Sequence, residues 1–310
     1  MEHLIIDTDP GVDDALAILM AGIYPQTQIE AILAVAGNVA LEHTVRNAGV
    51  ILDQLNLDIP IYAGCAQPLV AAGIDAGYVH GHDGIGNTGF SSTHAVQPEH
   101  AALALLKLVN AEPGKHTLVA LGPLTNIAVA LKLDSQLPRK LKRLVLMAGA
   151  VTGHGNMQVC TEFNVLADPE AAHVVFAAWG QAGCLIELID WEVTMRYGFT
   201  AEMQEQWAQM GTAKSDFFTA VSAHANQFIA HHRGRTTQYF ADPVAMAVAL
   251  EPDIVTKSEK HYVAVELNGR LTRGQTIVDW EDRTGQSPNA KIMTALNGQR
   301  LFTLVNQALT

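Results

Sequence analysis

Short apolar runs alternate with longer amphipathic runs along the first 190 residues of the chain. The short runs, such as residues 117–122 (TLVALG) and 142–150 (KRLVLMAGA), are apolar almost throughout, which predicts strands buried on both faces. The longer runs, such as residues 41–55 (LEHTVRNAGVILDQL), have the spacing of amphipathic helices. Repeated strand–helix units in one chain predict an α/β protein, with either a doubly wound parallel sheet or a barrel.

The same pattern gives the approximate position of each element. Strands are predicted at residues 4–7, 29–37, 59–64, 117–122, 142–150 and 184–189. Helices are predicted at residues 13–23, 41–55, 99–111, 125–133 and 168–179. The last of these helices has Asp168 as its N-cap, Pro169 as its first residue and Glu170 in its first turn, so we assign these residues a structural role.

The pattern changes near residue 200, where two consecutive helices replace the strand–helix alternation. They are predicted at residues 200–211 and 215–234, with Ser215 as the N-cap of the second helix. We interpret residues from about 200 to 235 as a helical cap over one end of the sheet. This cap lies within a single domain that spans residues 1–310.

Composition narrows the classes of function. The chain has 310 residues, of which 49% are hydrophobic, and its net charge of −12 argues against nucleic acid and anionic membranes as partners. No apolar run reaches the roughly 18 residues of a transmembrane helix, and a strand that begins at Leu4 leaves no room for a secretory signal. Cys65, Cys160 and Cys184 are far apart, as expected of reduced thiols, so we expect a cytoplasmic protein.

Four carboxylates, Asp7, Asp9, Asp13 and Asp14, fall within eight residues at the end of the first strand. Asp13 and Asp14 lie in the first turn of the next helix, where the helix dipole favours either one alone by ~0.3–1 kcal/mol. Four acids in one partly desolvated crevice repel each other by more than this amount. A bound divalent cation relieves the repulsion, and an all-oxygen ligand set suits Ca²⁺ or Mg²⁺.

The loops that follow the other strands carry AGN, LGPLTN and MAGA, in which asparagine and glycine are prominent. Such loops suit sugar hydroxyls better than phosphate. An Asp-x-Asp pair after a strand also occurs in phosphoryl-transfer enzymes with an aspartyl nucleophile. Those enzymes need a basic residue to bind the phosphate, and the strand ends here carry none, so an aspartyl-phosphate phosphatase is disfavoured.

Several longer motifs resemble those of the inosine–uridine family of nucleoside hydrolases. In chain order they are IIDTDPGVDDALAIL, AVAGN, VHGHDG, LVALGPLTNIAVAL, LVLMAGA, GNMQVCTEFNVLADPEAA and ADPVAMAVAL. The resemblance implies an open, mostly parallel, doubly wound sheet with helices capping the active-site end. It also implies metal-dependent hydrolysis of the bond between ribose C1′ and a nucleobase, in nucleoside salvage, by a homodimer or homotetramer.

The resemblance further implies the residues of a metal centre. The ligands of a Ca²⁺ ion, with Mg²⁺ less favoured, would be Asp9, Asp14, the backbone carbonyl of Leu121 and Asp242. Asp9 would also be the general base, supported by Asp7. The chemistry is consistent, because a cation acidifies bound water and a nearby carboxylate accepts the proton. Asp242 is far from the others in sequence, so its convergence with them is a specific structural expectation.

The same resemblance implies residues that bind the nucleoside. Asp13, Asn38 and Asn164 would bind the ribose hydroxyls, Asn156 and Glu162 the 5′-hydroxyl, Met147 would pack beneath the sugar, and His80 would lie in the base pocket. Carboxylates and hydrogen-bond acceptors around the sugar ring suit a transition state with oxocarbenium character.

The chain departs from the family pattern at the leaving group. Broad-specificity members place a histidine just before the metal-binding aspartate of the late motif, whereas this chain has Ala241 there. A positioned general acid contributes ~10²–10⁴-fold to a rate, so Ala241 affects the choice of substrate more than the existence of activity. The candidates to compensate for the missing histidine, besides His80, are His82, His231, His232 and Tyr239.

Two alternatives to a ribonucleoside hydrolase remain at this point. The first is a nucleoside-binding protein that has lost turnover through Ala241, which would bind its ligand without releasing ribose. The intact Asp9 and Asp14 weigh against it, because a pure binding protein needs no general base. The second is a metal-dependent hydrolase of a related, nucleoside-like metabolite.

Overall fold

A ten-stranded, mostly parallel sheet forms the centre of the computed structural model, which describes residues 1–310. The strands are β1 (Glu2–Thr8), β2 (Thr27–Ala34), β3 (Ile61–Ala63), β4 (Val96–Gln97), β5 (His116–Ala120), β6 (Arg143–Met147), β7 (Ile186–Ile189), β8 (Val255–Val265), β9 (Thr276–Asp279) and β10 (Ala290–Leu296). Their order in the sheet is β4-β3-β2-β1-β5-β6-β7-β10-β8-β9. The predicted mixed α/β class with an open, mostly parallel sheet is confirmed.

Thirteen helices accompany the sheet. They are α1 (Val12–Ile23), α2 (Leu41–Leu55), α3 (Gly77–His80), α4 (Ala101–Ala111), α5 (Thr125–Leu133), α6 (Leu137–Lys140), α7 (Phe163–Ala167), α8 (Pro169–Ala182), α9 (Trp191–Thr194), α10 (Ala201–Ala208), α11 (Ala213–Arg233), α12 (Ala241–Leu250) and α13 (Gly298–Leu309). None of them is long and apolar enough to cross a lipid bilayer.

Two hydrophobic cores cover the two faces of the sheet. Successive residues of a strand point to opposite faces, so Ile6 belongs to a core of 48 buried residues and Ile5 to one of 35. The larger core includes residues of α1, α11, α12 and α13, and the smaller one includes residues of α4, α5 and α8. This double burial explains why the parallel strands are apolar throughout.

The direction of strand order reverses at β1, which pairs with β2 on one side and β5 on the other. The loops that leave the carboxyl ends of β1 and β5 therefore diverge toward opposite faces and open a crevice between them. Ligands of doubly wound proteins bind at such a point. The acid-rich turn after β1 lies there.

Of the two residues predicted as helix N-caps, one is confirmed and the other is wrong. Asp168 caps α8, because its Oδ1 accepts a hydrogen bond from the N–H of Ala171 at 3.0 Å, as predicted. The prediction of Ser215 as the N-cap of α11 is wrong, because Thr212 occupies that position. The Thr212 hydroxyl accepts from the Ser215 N–H at 3.0 Å and the Ser215 hydroxyl accepts from the Thr212 N–H at 3.1 Å, so both residues take part in one capping box.

The sheet ends in an antiparallel part that the strand–helix pattern does not predict. β10 is parallel to β7 but antiparallel to β8, and β8 is antiparallel to β9. The exposed faces of these strands interrupt their apolar runs; β8, for example, is a mixture of exposed and half-buried residues over most of its length. One-sided burial of this kind is typical of antiparallel edges.

Candidate active site

A cavity of about 390 Å³ opens at the carboxyl ends of the central strands. Asn38 enters it from the loop after β2, Leu121 from the loop after β5 and Met147 from the end of β6. Of its 27 lining residues, 16 are hydrophobic, and the remainder include carboxylates, amides and arginines. This size and this mixture are typical of small-molecule sites.

Three carboxylates converge at one part of this cavity. Oxygen atoms of Asp13, Asp14 and Asp242 all lie within 4.8 Å of one another. Asp13 and Asp14 start α1 and Asp242 starts α12, and these two helices pack together in the larger core. The structure thus brings together residues that are more than 220 positions apart in the sequence.

Asp14 is held by three donors. The Thr8 hydroxyl donates to its Oδ1, and the Gly11 N–H donates to its Oδ2 at 2.9 Å. The side-chain amide of Asn38 donates to the same Oδ2 at 3.1 Å and to the backbone carbonyl of Asp9 at 3.1 Å. Asn38 therefore ties the turn after β1 to the loop after β2.

Asp9 borders the three carboxylates but is not one of the compact group. Its Oδ2 accepts a hydrogen bond from the Asn38 N–H at 2.7 Å. Two glycines pass against its carboxylate, since a Cβ atom would lie 2.1 Å from Oδ2 at Gly37 and 2.5 Å from Oδ1 at Gly122. Only glycine allows so close an approach on both sides. Asp9 is thereby fixed in one orientation.

We expect Gly37→Ala to lower kcat for nucleoside hydrolysis, the activity that the family resemblance implies, by at least about tenfold. A misplacement of a catalytic group by about 1 Å costs up to ~10²-fold in rate. The new methyl group would displace the carboxylate of Asp9 and the Asn38 N–H that binds it. Steady-state kinetics tests this. Gly73→Ala is the matched control, because its Cβ would be 3.4 Å from the nearest atom. Equal activity of the two variants would contradict the prediction.

Burial and mutual repulsion dominate the electrostatics of this cluster. Burial raises the pKa of Asp9, Asp13, Asp14 and Asp242, and repulsion from a neighbouring carboxylate adds to this increase for Asp9, Asp14 and Asp242. The charged groups that act on Asp242 are all carboxylates. No lysine or arginine forms a salt bridge with these four carboxylates, and their all-oxygen donor set fits a hard divalent cation.

Asp7 lies deeper than the other acids of the turn. Its Oδ2 accepts a hydrogen bond from the Asn126 amide at 2.9 Å, while Oδ1 is buried without a partner. Burial raises the pKa of Asp7 to about 7. Asn126 also donates to the Ala34 carbonyl at 3.2 Å and accepts from the Cys65 N–H at 2.8 Å. Asp7 therefore stabilises the base of the crevice through α5.

Asn164 connects the strand ends on the other side of the cavity. Its Nδ2 donates to the Leu121 carbonyl at 2.6 Å and to the Met147 carbonyl at 3.1 Å. These bonds use only the amide nitrogen, so Oδ1 of Asn164 can accept from a ligand. Leu121, whose carbonyl is predicted as a metal ligand, lines the same cavity.

Glu162 is the N-cap of α7 and is almost fully buried. Its carboxylate accepts hydrogen bonds from the N–H groups of Gly149 at 2.8 Å, Asn164 at 2.8 Å and Val165 at 3.2 Å. Burial nevertheless raises the pKa of Glu162 to about 7. Asn156, which accepts from the Phe163 N–H at 3.0 Å, lines the cavity beside it.

The raised pKa of Glu162 predicts a pH-dependent contribution to stability. The group ionises less readily in the folded state, so its contribution is fully present below about pH 4.5 and is lost as the pH rises through about 7. Glu162→Gln does not titrate, so the stability advantage of the parent protein over it should shrink by about 3 kcal/mol across this window. Urea denaturation from pH 4 to 8 measures the difference.

Glu205→Gln, which makes the same chemical change at an exposed position of α10, is the matched control for this comparison. A pH-independent difference for Glu162→Gln would contradict the prediction.

Of the histidines singled out in the sequence, only His80 lines the cavity. Its Nδ1 accepts a hydrogen bond from the Val12 N–H at 3.1 Å, and burial lowers its pKa to about 4. The neutral ring therefore carries its proton on Nε2. His82, His231 and His232 are exposed and do not line the cavity; His82 follows α3, and the other two lie in the last turn of α11, where the His232 ring packs against Phe228.

The cavity is also lined by residues that sequence reasoning did not identify. They are Tyr78, Trp191, Phe228, Arg233, Arg235 and Gln238, together with the predicted Tyr239. The nearness of Arg235 and Gln238 to the ADP motif was the available signal. Glu192 accepts from the N–H groups of Thr152 and His154, both at 2.9 Å, and so fixes the loop before Asn156.

Comparisons with known proteins agree with this architecture. The family model described as "Inosine-uridine preferring nucleoside hydrolase" matches residues 4–303. The inosine-uridine preferring nucleoside hydrolase of Crithidia fasciculata is 32% identical, over 99% of this chain and 97% of that protein. The non-specific ribonucleoside hydrolase RihC of Salmonella newport (strain SL254) is 38% identical, over 95% of this chain and 93% of that protein.

Solved structures show the same similarity. A structure described as "Inosine-Guanosine Nucleoside Hydrolase (IG-NH)" superposes with a TM-score of 0.92 at 34% identity, covering 100% of this chain and 99% of that one. A plant nucleoside hydrolase superposes with a TM-score of 0.93 at 29% identity, with the same coverage. The chain therefore belongs to the inosine-uridine preferring nucleoside hydrolase family and is an enzyme that hydrolyses N-glycosyl bonds.

Proposed function

We propose that the protein hydrolyses ribonucleosides to ribose and free nucleobase in a Ca²⁺-dependent reaction, with Asp9 as the general base. The observation that carries this proposal is the convergence of Asp13, Asp14 and Asp242 in a cavity whose walls also present amide and carboxylate groups. Such a cavity offers a cation site beside acceptors for sugar hydroxyls. Purely apolar pockets do not.

The proposed ligands of the cation are Asp9, Asp14, the Leu121 carbonyl and Asp242. All are oxygen donors, which Ca²⁺ prefers, and the flexible coordination of Ca²⁺ tolerates an irregular set better than the octahedral geometry of Mg²⁺. When bound there, the cation would neutralise the carboxylates and lower the pKa of a water molecule. Asp13 is assigned to the ribose, since it lines the cavity and the Ala241 N–H donates a long, 3.3 Å hydrogen bond to its carboxylate.

Asp9 is suited to accept a proton. The Asn38 N–H and the two flanking glycines hold its carboxylate in place, and its pKa is raised by burial and by Asp14. In the reaction, the water oxygen forms a bond to ribose C1′ while the bond from C1′ to the base nitrogen breaks. One water proton passes to Asp9 and the other remains on the new hydroxyl. The base keeps the electron pair and takes a proton from solvent, to which Asp9 returns one.

The sugar is proposed to lie between the two sets of strand-end residues. Asn38 and Asn164 bind ribose hydroxyls, and Oδ1 of Asn164 is available because Nδ2 satisfies the Leu121 and Met147 carbonyls. Met147 packs beneath the ring. Acceptors placed around the ring stabilise the positive charge that develops at C1′ in the transition state.

We also propose that the 5′-hydroxyl is bound by Asn156 and Glu162, and that His80 lies beside the base. Both Asn156 and His80 line the cavity, and Asn156 accepts from the N–H of Phe163, the residue after Glu162, which supports grouping Asn156 with Glu162. We further propose a cytoplasmic role in nucleoside salvage and assembly as a homodimer or homotetramer. Light scattering after size-exclusion chromatography tests the assembly.

A direct experiment tests the activity. Purified protein is incubated with inosine, guanosine, adenosine, uridine and cytidine, and free ribose is measured with and without a chelator. We expect ribose release that the chelator abolishes. Stoichiometric nucleoside binding without ribose release would favour the alternative of a binding protein, and ribose release that persists in the metal-free protein would refute the metal dependence.

A further inference from the structure

Two polar side chains of the cavity wall have hydrogen-bonding groups that the protein does not use. The Nε of Arg235 and the Nε2 of Gln238 are both buried and have no partner. Buried donors without partners are rare, because each one costs about 1–3 kcal/mol. Both residues line the same cavity as Asp13 and Asp242. A ligand in the cavity is therefore the natural partner for these groups.

Arg235 keeps its positive charge available to such a ligand. Its guanidinium carbon lies 4.4 Å from the centre of the Tyr239 ring, so a cation–π contact orients its planar group. The ionisable groups that act on it are Tyr239 and Arg233, and no carboxylate is among them. The acids at the other part of the cavity therefore do not neutralise Arg235.

The main chain at Gln238 is fixed. Phe199 and Gln238 exchange two backbone hydrogen bonds, at 2.8 and 2.9 Å, in an isolated antiparallel bridge. Phe199 is fully buried and packs against Phe240 and Trp207. The amide of Gln238 thus projects from an anchored segment, as a specificity-determining group requires.

We propose that Arg235 and Gln238 bind the departing base at the O6 and N7 atoms of a 6-oxopurine. They thereby stabilise the leaving group, which Ala241 cannot do. This inference rests on the proposed function. The planar fork of arginine matches the two adjacent acceptors on that edge of the purine. Adenine presents an amino donor at the same place, and uracil presents a single acceptor.

The proposal accounts for leaving-group departure without a histidine at position 241. As the bond to N9 breaks, the electron pair spreads over the purine rings and onto O6. The fixed charge of Arg235 stabilises this anion, and solvent supplies the proton afterwards. A preorganised donor aimed at developing negative charge contributes ~10²–10³-fold to kcat.

The test compares substrates and variants of the full-length, metal-loaded enzyme. We expect kcat/KM for inosine and guanosine to exceed that for adenosine by at least about tenfold. Arg235→Met should lower kcat for inosine by about 100-fold. It should lower kcat for 4-nitrophenyl β-D-riboside much less, because nitrophenolate is a stable anion and has no O6–N7 edge.

Two further variants separate recognition from folding. Arg235→Lys retains the charge without the fork and should regain at least about tenfold of the loss on inosine. Arg283→Met, at an exposed arginine paired with Glu281, is the matched control and should leave the ratio of the two substrates unchanged. Thermal unfolding of each variant checks that the fold is retained.

The outcomes distinguish this inference from the proposed function. Absence of product from every nucleoside and from the nitrophenyl riboside would refute both. Hydrolysis of adenosine as fast as inosine, or equal losses on inosine and the nitrophenyl riboside in Arg235→Met, would refute the assignment of Arg235 alone. If Arg235→Met does not fold, Gln238→Leu gives the same comparison, with an expected loss of about tenfold on inosine.

Discussion

Replacing Asp9 by asparagine should lower kcat for ribose release by about 10³-fold, within the ~10²–10⁴-fold range of a positioned general base. Asparagine has nearly the same shape and can still accept the hydrogen bond from the Asn38 N–H through its oxygen. It cannot take a proton from water. The variant should therefore fold normally and fail in the chemical step, which single-turnover measurements of ribose release will show.

The matched control is Asp58→Asn, at an exposed aspartate in the loop before β3. It makes the same chemical change away from the cavity and should retain the parent kcat. Nucleoside binding by Asp9→Asn, measured by calorimetry, confirms that the pocket is intact. Parent-like turnover of Asp9→Asn would show that another group accepts the proton.

Removal of the cation should abolish ribose release and lower the midpoint of thermal unfolding by about 5 °C. A cation present at 100 times its Kd stabilises the folded state by ~2.7 kcal/mol, which the chelated protein loses. The loss has a clear cause, because the carboxylates of Asp13, Asp14 and Asp242 are then left within 4.8 Å of one another. Addition of Ca²⁺ should restore both quantities.

Asp242→Asn is the control for this experiment, because it removes one negative charge and one proposed ligand from the cluster. A chelator should change its unfolding midpoint by only a fraction of the change in the parent protein. If the chelated parent protein keeps its midpoint and its kcat, the carboxylates are stabilised by protonation instead of by a cation.

The parallel part of the fold was predictable because its signals are local and repeated. Each buried strand is apolar, each helix has one apolar face, and α5 was located to the residue, at 125–133. The end of β6 was less well predicted: the apolar run continues to residue 150, whereas the strand ends at Met147 and Gly149 has a φ of +78°. The loop beyond the strand is buried under the site, so its composition resembles that of the strand.

The residues of the candidate site likewise include some that local sequence predicts and others that only tertiary packing brings together. The acids after β1 are adjacent in sequence, so their clustering follows from one turn, whereas the approach of Asp242 depends on the packing of α1 against α12. The sequence alone could not distinguish buried from exposed histidines, since His232 lies one helical turn after Phe228, which lines the cavity, and yet is exposed in the last turn of α11. The role of Arg235 emerges only when its unpartnered Nε is seen in three dimensions.

The bridge between Phe199 and Gln238 has a consequence for how such an enzyme can change. The groups proposed for chemistry come from the loops after β1 and β5 and from the first turns of α1 and α12, while Arg235 and Gln238 come from a short segment that two backbone hydrogen bonds attach to Phe199. Because this bridge uses only backbone groups, the side chains of residues 235–239 can be varied while the main chain that leads to Asp242 stays anchored. A library confined to these five positions is a direct route to new nucleoside preferences on an unchanged catalytic base.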